Sequence, residues 1–297
     1  MRPPHRARIA AALIAAALPV PVMAHGLAPS PARWTFDPLA TALLALSVAL
    51  YTLGLARMGT ARAAIAPPWR AACYAAAVST LVLALFSPLV ARTETSFAWH
   101  MGQHLLLMLV TAPLLALSNT HLVALFAFPL GGRQRIGRFV NGVPGVRAGA
   151  SARHGPWIAG LAFAAGLWLW HAPAMYQAAL DDGTVHTFEH LTYLITSAVF
   201  WRMIATAGGR RLDLGSAIVL VTLVGLQGNL MAALITLAPT PIYGAYARSA
   251  GILDQQMAGI LMWVPAGLIY LASTMWALGK FVGGTRNVRR HSKRRGA

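Results

Sequence analysis

The 297-residue chain is 57% hydrophobic and only 10% charged, with a positive mean hydropathy. A soluble domain of this length cannot hide so much apolar surface, so the composition points to a lipid bilayer. The formal charge of +17 gathers in alternate loops and at the C-terminus. That is the pattern of the positive-inside rule, and it excludes a nucleic-acid-binding face.

In chain order, Arg2, Arg6 and Arg8 precede a short apolar core, "IAAALIAAALPV", and "VMA" ends at Ala24. Residues 1–24 therefore read as a signal peptide, with an uncleaved membrane helix as the alternative. Cleavage would leave His25 as the N-terminus of a periplasmic segment, 25–37. Seven spans are expected in a transmembrane domain over 38–280: near 38–56, 69–90, 98–118, 156–173, 186–205, 214–238 and 254–279. Each is close to the ~20 residues that a bilayer core requires. A basic tail, 281–297, closes the chain. The expected fold is thus an all-α polytopic membrane protein, a seven-helix bundle behind a signal peptide.

The loops orient it. Arg57, Arg62 and Arg70 lie between the first two spans, and Arg133, Arg135, Arg138, Arg147 and Arg153 between the third and fourth. Arg202, Arg210 and Arg211 follow the fifth, and "RNVRRHSKRR" comes last. With seven spans all four basic regions face the cytoplasm, which puts the mature N-terminus in the periplasm of an inner (plasma) membrane protein. "NTHLVALFAFPL" is too short to cross again and is expected to lie along the inner surface or re-enter shallowly. The Gly- and Arg-rich stretch 131–155 reads as a mobile connection. The single cysteine, Cys73, allows no disulfide and no thiolate metal cage.

In this topology His100 and His104 occupy the first two turns of the third span, counted from outside. His171 ends the fourth span before Ala172-Pro173, and His186 and His190 open the fifth. At 1.5 Å per residue all five lie within roughly 10 Å of the outer ends of their helices. The two i,i+4 pairs each share one helix face. A lone histidine of this kind is an ordinary hydrogen-bonded helix-end residue. Five at one depth are candidate metal ligands, because imidazoles on rigid helices can converge on a single ion. Glu189 and Asp254 are placed to orient ring nitrogens from behind the ligands, and Gln255 opens the seventh span in the same layer. Imidazole suits zinc, copper, iron and nickel, while thioethers shift the preference toward Cu(I). Met101, Met175, Met257 and Met262 lie nearby, although each is ordinary packing on its own. His25 would add an amine and an imidazole on the outer face.

The same residues admit other chemistry. "HTFEH", residues 186–190, matches H-x-x-E-H, in which two histidines hold zinc and Glu189 acts as base. Histidines on facing helices can also clamp a haem iron, His104 with His190 or His171. A copper transporter would need ligands continuing inward, where only His121 and Cys73 stand.

Four stretches, "FSPLVARTETSFAWHMGQHLLLMLVTAPLLAL", "LWLWHAPAMYQAAL", "HTFEHLTYLITSAVFW" and "LDQQMAGILMWVP", together resemble the multi-span, Bacillus-type CtaG cytochrome c oxidase assembly factors. The similarity runs over roughly residues 70–280. It implies a role in maturing a haem-copper oxidase by copper delivery, with His100, His104, His171, His186, His190, Asp254 and Gln255 at matching positions. Together with the histidine layer, this leads to the expectation of a periplasmic copper donor, an oxidase subunit as recipient, ligand exchange in place of catalysis, and no enzyme activity. The exported-looking N-terminus and the long basic inner loop depart from the simplest pattern of that family.

Overall fold

A computed structural model describes residues 34–143, 154–247 and 250–295, with side chains through residue 283. The expected signal segment, His25, Arg147, Arg153 and Arg248 lie outside these residues. Among the described residues there is no strand. The main helices are α1 (Pro38–Arg57), α2 (Pro68–Phe86), α3 (Phe97–Leu117), α4 (Leu130–Gly142), α5 (Gly155–His171), α6 (Pro173–Asp181), α7 (Gly183–Ala205), α8 (Leu214–Leu237) and α9 (Gly251–Arg295).

Local sequence sets the helix starts. Proline opens α1, α2, α5 and α6, where its missing N–H costs nothing. Asp37, Asp182 and Asp213 cap α1, α7 and α8 by accepting from first-turn amides. The amides of Val185 and Thr184 hold the exposed Asp182 carboxyl below the usual carboxylate range. That stabilisation is present above the ordinary carboxylate pKa and is lost as pH falls through the lowered value.

Each of the seven expected spans overlaps a helix, yet length and hydropathy support fewer crossings. Helices α1, α2, α3, α8 and α9 (to Gly283) are long and apolar enough, and α5 with α6 adds a sixth if the pair, bent by 74°, counts as one broken span. The bend falls at Ala172-Pro173, where the sequence ends the helix. Helix α7 is 23 residues long but is not among these spans. His186, Glu189, His190 and Arg202 lower its hydropathy, so the residues that make it interesting also hide it. Residues 131–142 of the expected connection belong to α4 and are helical; 144–153 are outside the described residues.

Helices α8 and α9 pack along their length, with Gly259 set against Thr236 and the Ala232 carbonyl so closely that a Cβ would clash. Helix α3 touches α2, α7 and α9, and α5 packs on α7 and α8. The largest core cluster includes Phe163, Tyr193, Phe200, Trp201, Leu220 and Tyr270. On α8, Leu223, Leu226, Leu230, Leu234 and Leu237 stay exposed on an outward stripe, the arrangement of a lipid-facing surface. Within α3 the turn Leu106–Thr111 is a π-helix. Pro113 lacks the N–H that the regular ladder needs, and the indole of Trp201 donates to the Met108 carbonyl (2.9 Å).

Helix α1 lies at the periphery. Its Tyr51 ring stacks on Tyr74 (3.6 Å between centroids), and Gly54 sits against the Val123 carbonyl of a short helix, Thr120–Leu125. The "NTHLVALFAFPL" segment therefore packs back on α1. At this same end Arg57, Arg70 and Arg202 donate to the carbonyls of Ala127, Leu117 (3.0 Å) and Ala116 (3.3 Å). The histidines cluster at the opposite end.

Candidate metal centre

Helix α3 starts at Ser96, whose hydroxyl oxygen accepts from the Trp99 amide (3.3 Å). Asp254, on α9, strengthens that start. Its Oδ1 accepts from the Ser96 hydroxyl (2.6 Å), and its Oδ2 accepts from the Phe97 and Ala98 amides (2.6 and 3.3 Å). A carboxylate suits the positive end of a helix. The expectation that Asp254 orients a ring nitrogen meets a different arrangement, in which its oxygens are committed to the α3 cap. Gln255 likewise ties down a loop: its Oε1 accepts from the Ile242 amide (2.7 Å) and its Nε2 donates to the Ile235 carbonyl (3.2 Å). Replacing Asp254 with Ala should lower thermal stability by about 2–3 kcal/mol, because a charged cap with several donors is lost. An unchanged melting temperature in detergent would contradict this role.

The cap sets the position and rotation of His100 and His104 at the start of α3. Across from them, α7 presents His186 and His190 from its first two turns. One ligand atom from each of these four histidines lies within 4.8 Å of all the others. His100 and His104 face each other through Nε2 at 3.1 Å. The ring centroids of His100 and His186, and of His104 and His190, are 5.2 Å apart in both pairs, and those of His186 and His190 are 4.2 Å apart. His100 and His104 are 1% exposed, whereas the His186 side chain is 26% exposed and forms the more open side. An apolar cleft of about 250 Å³ between α1, α2, α3 and α7 reaches Thr187 and His190 from the flank.

Glu189 is fully buried beside the cluster, its Oε1 3.7 Å from His104 Nε2 and its Oε2 4.0 Å from His186 Nε2. These distances exceed hydrogen-bond length, and both carboxylate oxygens lack a hydrogen-bond partner. His186 Nε2, His190 Nε2 and His104 Nδ1 are buried without one as well. Orphaned polar atoms concentrated at one point are costly in a dry interior unless something else binds there. Four imidazoles and a carboxylate fit a transition-metal cation.

His171 stands apart from the four. Its Nδ1 donates to the Leu167 carbonyl (2.8 Å) with Tyr193 Oη at 3.2 Å, and its Nε2 is buried and unpartnered. The Tyr243 hydroxyl donates to its backbone carbonyl (2.8 Å), closing the end of α5. Of the methionines, Met101 and Met262 are buried in an apolar cluster with Phe97, Tyr176, Tyr243 and Tyr246. Met175 packs against the larger core and Met257 is half exposed. Packing accounts for Met101, Met175 and Met262.

The residues missed in the sequence are tyrosines. Tyr246 Oη is 2.9 Å from His100 Nδ1, and Tyr193 packs its ring on His104 (4.9 Å). Tyr243 and Tyr246 stand in "PTPIYGAYARSAG", between α8 and α9, a stretch with more aromatic character than a connection needs. Nothing local linked them to the histidines.

A family model described as cytochrome c oxidase caa3 assembly factor (Caa3_CtaG) matches residues 49–282, the stretch that holds both histidine pairs, Glu189, Tyr246 and Asp254. No curated protein and no solved structure matches the chain. The four-histidine bundle end thus lies wholly within the matched region, and the chain belongs to the Caa3_CtaG family of cytochrome c oxidase assembly factors.

Proposed function

We propose that the chain takes up copper at His100, His104, His186 and His190 and passes it to an oxidase subunit during assembly. The observation that carries this reading is the convergence of four buried or half-buried imidazoles beside an unpartnered carboxylate. In the proposed topology the spans number seven, α7 included, the signal peptide is removed, and the histidine end faces the periplasm of the inner membrane. A periplasmic donor loads the more open His186 side. Transfer proceeds by ligand exchange, with the incoming ligand displacing one imidazole at a time, so the protein is not an enzyme.

Geometry weighs against the two rivals. A catalytic zinc keeps a position open for water, whereas here four histidines crowd one point. A haem clamped through His104, by His190 or by His171, needs a flat macrocycle just beyond His104 Nε2, where His100 Nε2 already stands 3.1 Å away. Imidazole ligation alone does not choose among first-row metals, but Cu(II) stands highest in their affinity order. The family match adds an oxidase that must acquire copper.

The test is metal analysis and an optical spectrum of the purified protein, with oxidase copper content measured in cells lacking it. About one copper per chain, no Soret band and a copper-deficient oxidase support the reading. A Soret band, or a fully loaded oxidase in those cells, overturns it.

A further inference from the structure

Tyr246 contributes no ligand atom, yet its hydroxyl joins two groups of opposite character. It lies 2.9 Å from the Thr93 carbonyl oxygen and 2.9 Å from His100 Nδ1, and the Tyr176 hydroxyl donates to it at 3.3 Å. Tyr246 and Tyr176 are 3% and 1% exposed, so water does not compete. A phenol carries one hydrogen, and a carbonyl oxygen can only accept. If Tyr246 donated to His100, two oxygen atoms would meet at 2.9 Å with no hydrogen between them, in a dry site where that repulsion is strong. The hydrogen therefore points at Thr93, and the hydrogen on the His100 side must come from Nδ1.

We propose that Tyr246, anchored on the Thr93 carbonyl, is a positioning residue that holds His100 as its Nδ1–H tautomer and so presents a bare Nε2 to the ion. The inference rests on the metal reading above for its purpose, though not for its geometry. A neutral imidazole has one N–H, so fixing it on Nδ1 frees the Nε2 lone pair. That lone pair faces His104 Nε2 at 3.1 Å. In the absence of an ion, the hydrogen between the two rings then belongs to His104, and His100 is the ligand already in binding form. His171 reaches the same state by a simpler route, through its Nδ1 bond to the Leu167 carbonyl. The aromatic cluster around Phe97 acquires a purpose beyond packing, since it keeps the Thr93–Tyr246–His100 chain dry and rigid. Partners behind a metal ligand commonly change affinity by about 10–100-fold when removed.

The experiment uses the full-length protein with ¹⁵N-labelled histidine, metal-free, in lipid nanodiscs. The His100 signals are assigned by their disappearance in a His100→Gln variant, and Nδ1–H and Nε2–H forms are separated by their ¹⁵N shifts. Wild type is expected to show Nδ1–H at His100. Tyr246→Phe should lose it and weaken Cu(II) binding about 10–100-fold in a competition titration, with helicity intact by circular dichroism although the melting temperature falls, because the Thr93 carbonyl and the Tyr176 hydroxyl lose a partner. Tyr176→Phe should keep the tautomer. An Nε2–H form at His100 in wild type overturns the proposal, whatever any variant does. So does a Tyr246→Phe protein that keeps both tautomer and affinity. If wild type shows Nδ1–H and Tyr246→Phe loses it, but neither binds copper, the role of Tyr246 in fixing the tautomer stands and the copper reading alone fails.

Discussion

Changing His104 and His190 together to alanine should lower copper affinity by more than about 100-fold, beyond the loss that follows from disturbing a partner behind a ligand. His104 meets members of both pairs: it faces His100 Nε2, packs edge-on against His190, and has Glu189 Oε1 at 3.7 Å. Two helices would lose one ligand each, leaving His100 and His186, whose ring centroids stand 5.2 Å apart. Two imidazoles hold an ion far more weakly than four. Because alanine also opens a cavity, a second variant with glutamine at both positions keeps volume and polarity while removing the imidazoles. Competition titration against a chelator reads the affinity, and circular dichroism checks the helices. Undiminished copper binding in the glutamine variant, with helicity intact, would dismiss these histidines as the site. In cells, the same variant should fail to restore oxidase copper where wild type succeeds.

The second expectation has two signs. Glu189→Met should raise thermal stability, by about 1–4 kcal/mol, while weakening copper binding. Glu189 is 0% exposed and both of its oxygens lack hydrogen-bond partners, so in the metal-free protein it is a burden on the fold. A methionine of similar length fills the volume without that penalty. In the proposed copper site the carboxylate would supply negative charge where the cation arrives, an exchange of stability for function. Melting curves with and without copper separate the effects: the variant should melt higher than wild type without copper and gain less from added copper. A variant that melts lower without copper would show Glu189 to be structural, and one that gains as much from copper as wild type would remove it from the site.

Much of this was legible in the sequence because it depends on short-range periodicity. Apolar runs of bilayer length marked the helices, and Pro173 marked the break after His171 because proline cannot continue a helix ladder. The i,i+4 spacings of His100/His104 and His186/His190 put each pair on one face whatever the rest of the chain does. The span count was less secure, since α7 carries its own polar cluster and does not read as apolar.

What the spacing could not reveal depends on contacts far apart in the chain. Asp254 reaches the start of α3 across 158 positions, and Tyr246 reaches His100 across 146. Equal depth made His171 look like a fifth member of the cluster; in the packed bundle its Nδ1 is bonded to the Leu167 carbonyl, and the group whose ligand atoms lie within 4.8 Å of one another holds the other four. Depth follows from counting residues along a helix, so the chain's own order decides it. Azimuth, and the choice between capping a helix and facing an ion, follow from how side chains from separate helices interlock, and only the packed bundle decides those.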